Sequence, residues 1–228
     1  METILYEKIK DQDQSVRCGI CNHFCLIREG KRGICRVREN RGGKLICLVY
    51  PRIIAQSVDP IEKKPIFHFK PASFSYSIAT VGCNFKCAFC QNDSIAHRLT
   101  EQMPADMKGR IAGNLIYPEN IVAQALKTGC QSISYTYTEP TVFFELALDT
   151  AKLAKEKGLF NIFVTNGYMS EKALRMISPY LDAANVDLKA FSDNFYKNYC
   201  KAALNPVKKN IRLMRKLGIM VEVTTLLI

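Results

Sequence analysis

The stretch Ser75-Tyr76-Ser77-Ile78-Ala79-Thr80-Val81-Gly82-Cys83-Asn84-Phe85-Lys86-Cys87-Ala88-Phe89-Cys90-Gln91-Asn92 decides the fold. Its first seven residues are aromatic, β-branched or small and stop at a glycine, which reads as a buried strand over 75–81. Three cysteines follow at Cys-x3-Cys-x2-Cys spacing, so three soft sulfurs leave one loop at the carboxyl end of a strand. That donor set suits an iron–sulfur cluster or zinc. A structural zinc site closes with a fourth Cys or His. The nearest downstream donor, His97, fits no common zinc spacing. A cube held by three thiolates leaves one iron open, which is a catalytic arrangement.

Outward from this loop, β-type runs recur at 132–138, 161–165, 184–188 and 220–228. Helical segments lie between them. One begins near Pro118 and stops at Gly129, and another runs from about Pro140 to Gly158. A third opens at Ser170-Glu171, and the last opens at Asn205-Pro206 and closes at Gly218. Strands alternating with helices imply an α/β chain with a parallel sheet, open or curled into a barrel. Ligands of such sheets sit at the carboxyl ends of the strands.

Three strand ends carry polar groups. Thr138-Glu139-Pro140 ends the second strand, where the carboxylate can face a cation or add charge to the following helix N-terminus. Asn166-Gly167 ends the third, a turn signature whose Asn166 offers a donor and an acceptor. Asp187-Leu188-Lys189 ends the fourth, and alternation puts Asp187 and Lys189 on one face, as ligand contacts or as an ion pair.

Residues 1–70 form a Cys-rich N-terminal region and 71–228 the βα region, joined by a Pro-marked connector over 58–65. Cys18, Cys21, Cys25 and Cys35 make a second thiolate group, able to hold zinc or an auxiliary cluster, or simply packed as reduced thiols. His23 can replace one of them. Cys47, Cys130 and Cys200 read as isolated thiols; Lys63, Lys64 and His68 can reach the active site from the connector but read first as solvated side chains.

The 228 residues are 48% apolar and 23% charged, which excludes a disordered or fibrous chain. Ten cysteines without a secretory leader point to metal chemistry in the cytoplasm rather than to disulfides. No run reaches the roughly 18 apolar residues of a membrane span. The net charge of +11 reads as a solvated surface; no aromatic-interleaved motif favours nucleic acid.

Cys83-x3-Cys87-x-Phe89-Cys90 after the first strand resembles the signature of radical S-adenosylmethionine (SAM) enzymes. The resemblance implies a partial (β/α) barrel of the radical SAM type, C-terminally incomplete, and a [4Fe–4S] cluster on Cys83, Cys87 and Cys90, whose open iron chelates SAM. One electron then yields methionine and a 5′-deoxyadenosyl radical that abstracts hydrogen from the substrate. It also implies that Phe89 lies beside the adenine, that Thr138 and Glu139 hold the SAM amino group, and that Asn166, Asp187 and Lys189 contact SAM. The chain is similar to pyruvate formate-lyase activating enzyme, but Gln91-Asn92 follows the third cysteine, Val164 precedes Thr165-Asn166-Gly167, and the Cys-rich region is extra.

Those departures match the AmmeMemoRadiSam group, through Cys18, Cys21, His23, Cys25, Gly30, Gly33, Cys35, Arg38 and Asn40, then Asp59-Pro60-Ile61-Glu62-Lys63-Lys64-Pro65 and His68-Phe69. That resemblance implies ferredoxin or flavodoxin as electron donor and a protein substrate or partner of Memo-like or AMMECR type. Two other readings are carried: an activase for a glycyl radical enzyme, and a zinc-binding RNA- or protein-interaction module without catalysis. Five strands over 73–228 are fewer than the six βα units such barrels resemble, so the sequence is expected to be a truncated piece of a longer protein.

Overall fold

The computed structural model describes residues 1–9, 14–98, 100 and 111–227. The N-terminal region is built from short strands. β1 (Tyr6–Lys8), β2 (Val16–Cys18) and β3 (Leu26–Ile27) form an antiparallel sheet, and β4 (Arg38–Arg41) pairs with β5 (Lys44–Cys47) across a Gly42-Gly43 turn. β6 (Arg52–Ile53) leads to β7 (Ala55–Pro60), which joins the main sheet.

That sheet continues with β8 (Phe74–Ala79); the two-residue β9 (Asn114–Leu115) pairs with β6 outside it. Its remaining members are β10 (Ser132–Tyr135), β11 (Phe160–Thr165), β12 (Ala183–Asp187) and β13 (Met220–Thr224). The order is β13-β12-β11-β10-β8-β7, with five parallel strands and β7 antiparallel at one edge. The sheet stays open, so the barrel is a partial one. The expected strands are all present, with three shorter than predicted: β8 stops at Ala79, β10 at Tyr135 and β13 at Thr224. Ile228 lies outside the described residues.

Helices α1 (Pro118–Lys127), α2 (Phe144–Glu156), α3 (Glu171–Ile177) and α4 (Leu204–Lys216) cross over between the parallel strands. Ser170 caps α3 as its sequence predicts, its side chain accepting from Ala173 N. α4 starts one residue earlier than Asn205, and the Leu204 N–H is taken by Asp193 Oδ1 at 3.0 Å. No helix of the described residues is long and apolar enough to cross a membrane.

Strand alternation divides the sheet into two faces. Tyr76, Ile78, Ile133, Tyr135, Phe163, Ala184 and Val186 belong to the main apolar cluster with the helices and with Val16, Val37 and Leu45 of the N-terminal region. The opposite, inner face carries buried Ser75, Ser77, Ser132 and Ser134. Residues 61–69, expected as a solvated connector, cross that inner face instead. Ile61 and Ile66 pack there on Ile162 and Ala183 in a separate small cluster.

The N-terminal region is anchored by charge as well as by apolar contact. Arg38 donates to both carboxylate oxygens of Glu145 on α2, at 2.9 and 2.7 Å, and both residues are buried. Burial pushes the Glu145 carboxyl up, but the Arg38 guanidinium more than reverses this and holds it below its ordinary value. Removing one member leaves a buried charge unpaired, at about 3–5 kcal/mol. Arg38→Met should therefore lower the urea midpoint strongly, whereas Arg38→Met with Glu145→Leu should recover most of it. Because the folded carboxyl titrates below the unfolded one, its contribution is present above the unfolded value and fades as pH falls through the folded one. Unfolding curves between pH 7 and 3 should show that loss in the parent and its absence in Glu145→Gln.

Candidate functional site

The five parallel strands point their carboxyl ends to one rim, and a cavity of about 500 Å³ opens there. Its lining draws on the loop after β8 (Cys83, Cys87, Phe89, Cys90) and the β10 end (Thr138, Glu139). The β11 end contributes Asn166 and the β12 end Asp187 and Lys189. All nine residues expected to hold a cluster or SAM thus line one cavity. His97 lines it too.

The donor set fits an iron–sulfur cluster. Three partly exposed thiols share the cavity wall, and Cys83 Sγ accepts from Phe85 N at 3.4 Å and from Asn166 Nδ2 at 3.9 Å. Donors to sulfur favour its thiolate, the form that ligates metal. Cys200, taken from sequence as an isolated thiol, lies on this site. A thiol–thiol hydrogen bond with it pushes Cys87 up and Cys200 down. The backbone fixes the pairing, because Lys86 N and Ala88 N donate to the carbonyls of Cys200 and Tyr199 at 3.0 and 2.8 Å. Phe89 stacks at a tilt on Phe195, 5.7 Å between ring centres.

Glu139 is buried and accepts four hydrogen bonds. Oε1 takes Thr141 N at 3.0 Å, Thr141 Oγ1 at 2.5 Å and Thr165 Oγ1 at 2.8 Å; Oε2 takes Asn166 N at 2.8 Å. It also caps the 3₁₀ turn Pro140–Phe143, its side chain accepting from Thr141 N. Burial raises its carboxyl above the ordinary value, opposed by these donors. Among the described residues no cation pairs with it, which leaves Oε2 able to accept from a cationic ligand.

Asp187 and Lys189 do form an ion pair, Nζ to Oδ2 at 2.7 Å, and both side chains remain partly exposed to the cavity. Burial works against the Lys189 charge, but Asp187 and the Cys87 and Cys83 sulfurs more than reverse it and raise the ammonium. Thr138 Oγ1 donates to Thr80 O at 2.8 Å, tying the β10 and β8 ends together.

Sequence reasoning missed three more cavity residues. Lys64, expected in solvent, is 1% exposed. Its Nζ lies 2.6 Å from Asp59 Oδ2 and 3.4 Å from the Tyr137 hydroxyl, and Tyr137 donates to the same Asp59 oxygen at 2.5 Å. Tyr137 has φ 63, a left-handed conformation that a bulky residue adopts at about 1–3 kcal/mol. Asn92 Nδ2, two residues past Cys90, holds its carbonyl at 2.5 Å. A tyrosine between two threonines at a strand end gives no sequence sign of this.

The four N-terminal thiols Cys18, Cys21, Cys25 and Cys35 line a second, much smaller cavity of about 20 Å³ with His23, Arg38 and Asn84. His23 Nε2 is 2.7 Å from Asn84 O, next to Cys83. Among the described residues, no three His, Cys, Asp or Glu side chains stand at the spacing that encloses a single ion. Asn84 Nδ2 is buried without a hydrogen-bond partner.

Comparison with known proteins places residues 77–228 on the family model described as the Radical SAM superfamily. An uncharacterized protein of Methanocaldococcus jannaschii is 45% identical over 227 residues, which is 100% of this chain and 64% of that one. The chain therefore spans about two-thirds of that relative's length. The 7-carboxy-7-deazaguanine synthase of Thermococcus kodakarensis is 30% identical over 146 residues, covering 60% of this chain and 57% of the synthase. Among solved structures, Streptococcus suis SuiB bound to S-adenosylmethionine superposes with a TM-score of 0.47 at 17% identity, covering 62% of this chain and 31% of SuiB.

The Cys87–Cys200 contact predicts a product in metal-free protein. A diazene oxidant such as diamide should take up the two thiol hydrogens and leave a Cys87–Cys200 disulfide. Peptide mapping by mass spectrometry should find the link in the parent and lose it in Cys200→Ser.

Proposed function

This chain belongs to the radical SAM superfamily, and we propose that its rim cavity binds a [4Fe–4S] cluster through Cys83, Cys87 and Cys90 beside SAM. The single observation that supports this most is that the three cysteines, Phe89, Thr138, Glu139, Asn166, Asp187 and Lys189 line one cavity at the carboxyl ends of parallel strands. The family implies both cofactors, and the cluster's electron is what cleaves SAM to methionine and the 5′-deoxyadenosyl radical.

The chain's own residues then bind and orient. Glu139, buried and without a cation partner among the described residues, accepts from the SAM ammonium through Oε2. Lys189 meets the carboxylate and stays protonated because Asp187 supports it. Phe89, braced by Phe195, offers a flat apolar surface to the adenine. Asn166 holds Cys83 and Asn84 in place from the β11 end. A separate one-electron carrier, ferredoxin or flavodoxin, supplies the electron. The motifs over 18–92 favour the AmmeMemoRadiSam group and with it a protein substrate or partner.

The four N-terminal thiols are proposed as a second metal site, with zinc ahead of an auxiliary cluster. Support comes from their shared small cavity and the buried, unpartnered Asn84 amide beside it. The thiols must draw together around the ion.

Anaerobic reconstitution tests the main reading. The parent should hold about four irons at the rim site and release 5′-deoxyadenosine from SAM with dithionite. Alanine at Cys83, Cys87 or Cys90 should abolish both. Glu139→Gln should weaken SAM binding tenfold or more, since a charge-assisted hydrogen bond is worth roughly 1.5–3 kcal/mol. Zinc alone, with no SAM cleavage by the parent, would refute the reading. For the second site, plasma emission spectrometry should find one equivalent of zinc that Cys18→Ser with Cys21→Ser loses while rim iron remains.

A further inference from the structure

The segment Asp59–Pro65 has no role in the proposed SAM chemistry, yet its side chains form part of the cavity. β7 ends at Pro60, and the short 3₁₀ turn Ile61–Lys63 carries the chain across the inner face of the sheet. Ile61 and Ile66 seal it there against Ile162 and Ala183, and Asn185 Nδ2 holds the Pro65 carbonyl at 2.8 Å. Lys63, Lys64 and Pro65, placed between these anchors, line the same cavity as the cluster cysteines.

Two ammonium groups share one carboxylate at this wall. Asp59 Oδ1 accepts from Lys63 Nζ at 2.8 Å and Oδ2 from Lys64 Nζ at 2.6 Å. Burial pushes the Asp59 carboxyl up, but Lys63, Lys64 and Tyr137 more than reverse it, so it stays ionised. One carboxylate offsets one lysine, leaving about one positive charge. Lys64 has three N–H groups and, among the described residues, two oxygen partners, Asp59 and Tyr137. The Tyr137 hydroxyl donates to Asp59 and is thereby fixed in the wall. Elsewhere in the cavity Lys189 is matched by Asp187, so its charge is balanced within the chain. Of the two, only the Lys64 ammonium is buried, and burial works against its charge more than Asp59 supports it, so an anion at its third N–H would offset that cost.

We propose that Lys63 and Lys64, held by Asp59 and Tyr137, form an oxyanion subsite that takes a carboxylate or phosphate group of the substrate. This deepens the radical SAM reading of the cavity, because it names the substrate class and the wall that receives it. Lys64 is the buried anchor; Lys63, whose side chain is 64% exposed, adds charge at the opening.

The test is equilibrium dialysis of the reconstituted protein against labelled inorganic phosphate and, separately, labelled malonate, each with and without saturating SAM. The parent should bind one equivalent of at least one of the two, with SAM present as well as absent. Tighter phosphate points to a phosphoryl group, tighter malonate to a carboxylate. Lys63→Glu, at an exposed position, should weaken binding at least tenfold, and Lys64→Met should remove it; circular dichroism should show both variants folded. Equal binding by the parent and Lys63→Glu overturns the subsite, as does displacement of the anion by SAM. SAM cleavage by the parent in the same preparation separates the two readings. Cleavage without anion binding sinks the subsite alone; anion binding without cleavage sinks the radical SAM reading alone.

Discussion

One buried carboxylate ties the rim together. Glu139 leaves the β10 end and accepts from Thr165 and Asn166 at the β11 end, and Asn166 in turn donates to Asn84 Oδ1 at 2.7 Å beside Cys83 on the β8 loop. Three strand ends are thus linked by hydrogen bonds that all trace back to one side chain. Parallel strands bring these ends to one side, since each crossover returns the chain to the opposite side before the next strand begins. They do not fix the side chains to within the fraction of an ångström that placing a cofactor needs; the Glu139 network does that. The arrangement costs the desolvation of a carboxylate, offset by four donors and left short of one cation.

The N-terminal region is built into the same rim. Ser170 Oγ donates to Gly19 O at 2.6 Å, and Asn22 Nδ2 donates to Met169 O at 2.7 Å. Cys21 bridges to Met169. The loop that carries Asn166 and Gly167 is therefore clamped from outside by the Cys-rich segment. Gly167 sits at φ +70 with a Cβ position 2.9 Å from Val186, so only glycine lets the chain turn this closely under the clamp. The buried Arg38–Glu145 pair meets at two points, which fixes the orientation of β4 against α2 as well as their separation.

How much was legible follows from what each residue's signal depends on. The parallel strands, the Ser170 cap and the cysteine loop are marked by local patterns with a period or a fixed spacing, which survive folding. β7 did not read as a strand because Ser57, Asp59 and Pro60 are weak strand formers, and its pairing with β8 depends on residues some 20 positions away. Lys64 read as solvated because two adjacent lysines usually are. The turn after β7 sends one of them inward and the other out, and only the position of Asp59 decides which. Cys200 lies more than 100 residues from Cys87, so no spacing rule connects them. The left-handed Tyr137 has no sequence marker, since it is held by tertiary partners, Asn92 and Asp59.

The misreading of Lys64 has a wider physical cause. It is a charged group buried over the inner face of the sheet, where the sequence pattern of serines and asparagine resembles that of a solvent-facing strand side. A parallel sheet covered by helices on both faces would show apolar residues on both. Here the inner face is covered by the 61–66 segment, with Ile61 and Ile66 on Ile162 and Ala183, and its strands carry buried Ser77, Ser134 and Asn185; Ser134 bonds Ser75, and Asn185 donates to the Pro65 carbonyl. Alternation of apolar and polar residues in a strand reports the polarity of what it faces, not whether that is water. In this fold it faces the segment that carries Lys63 and Lys64 to the cavity wall, and the same pattern that marks a surface in most proteins marks an interior here.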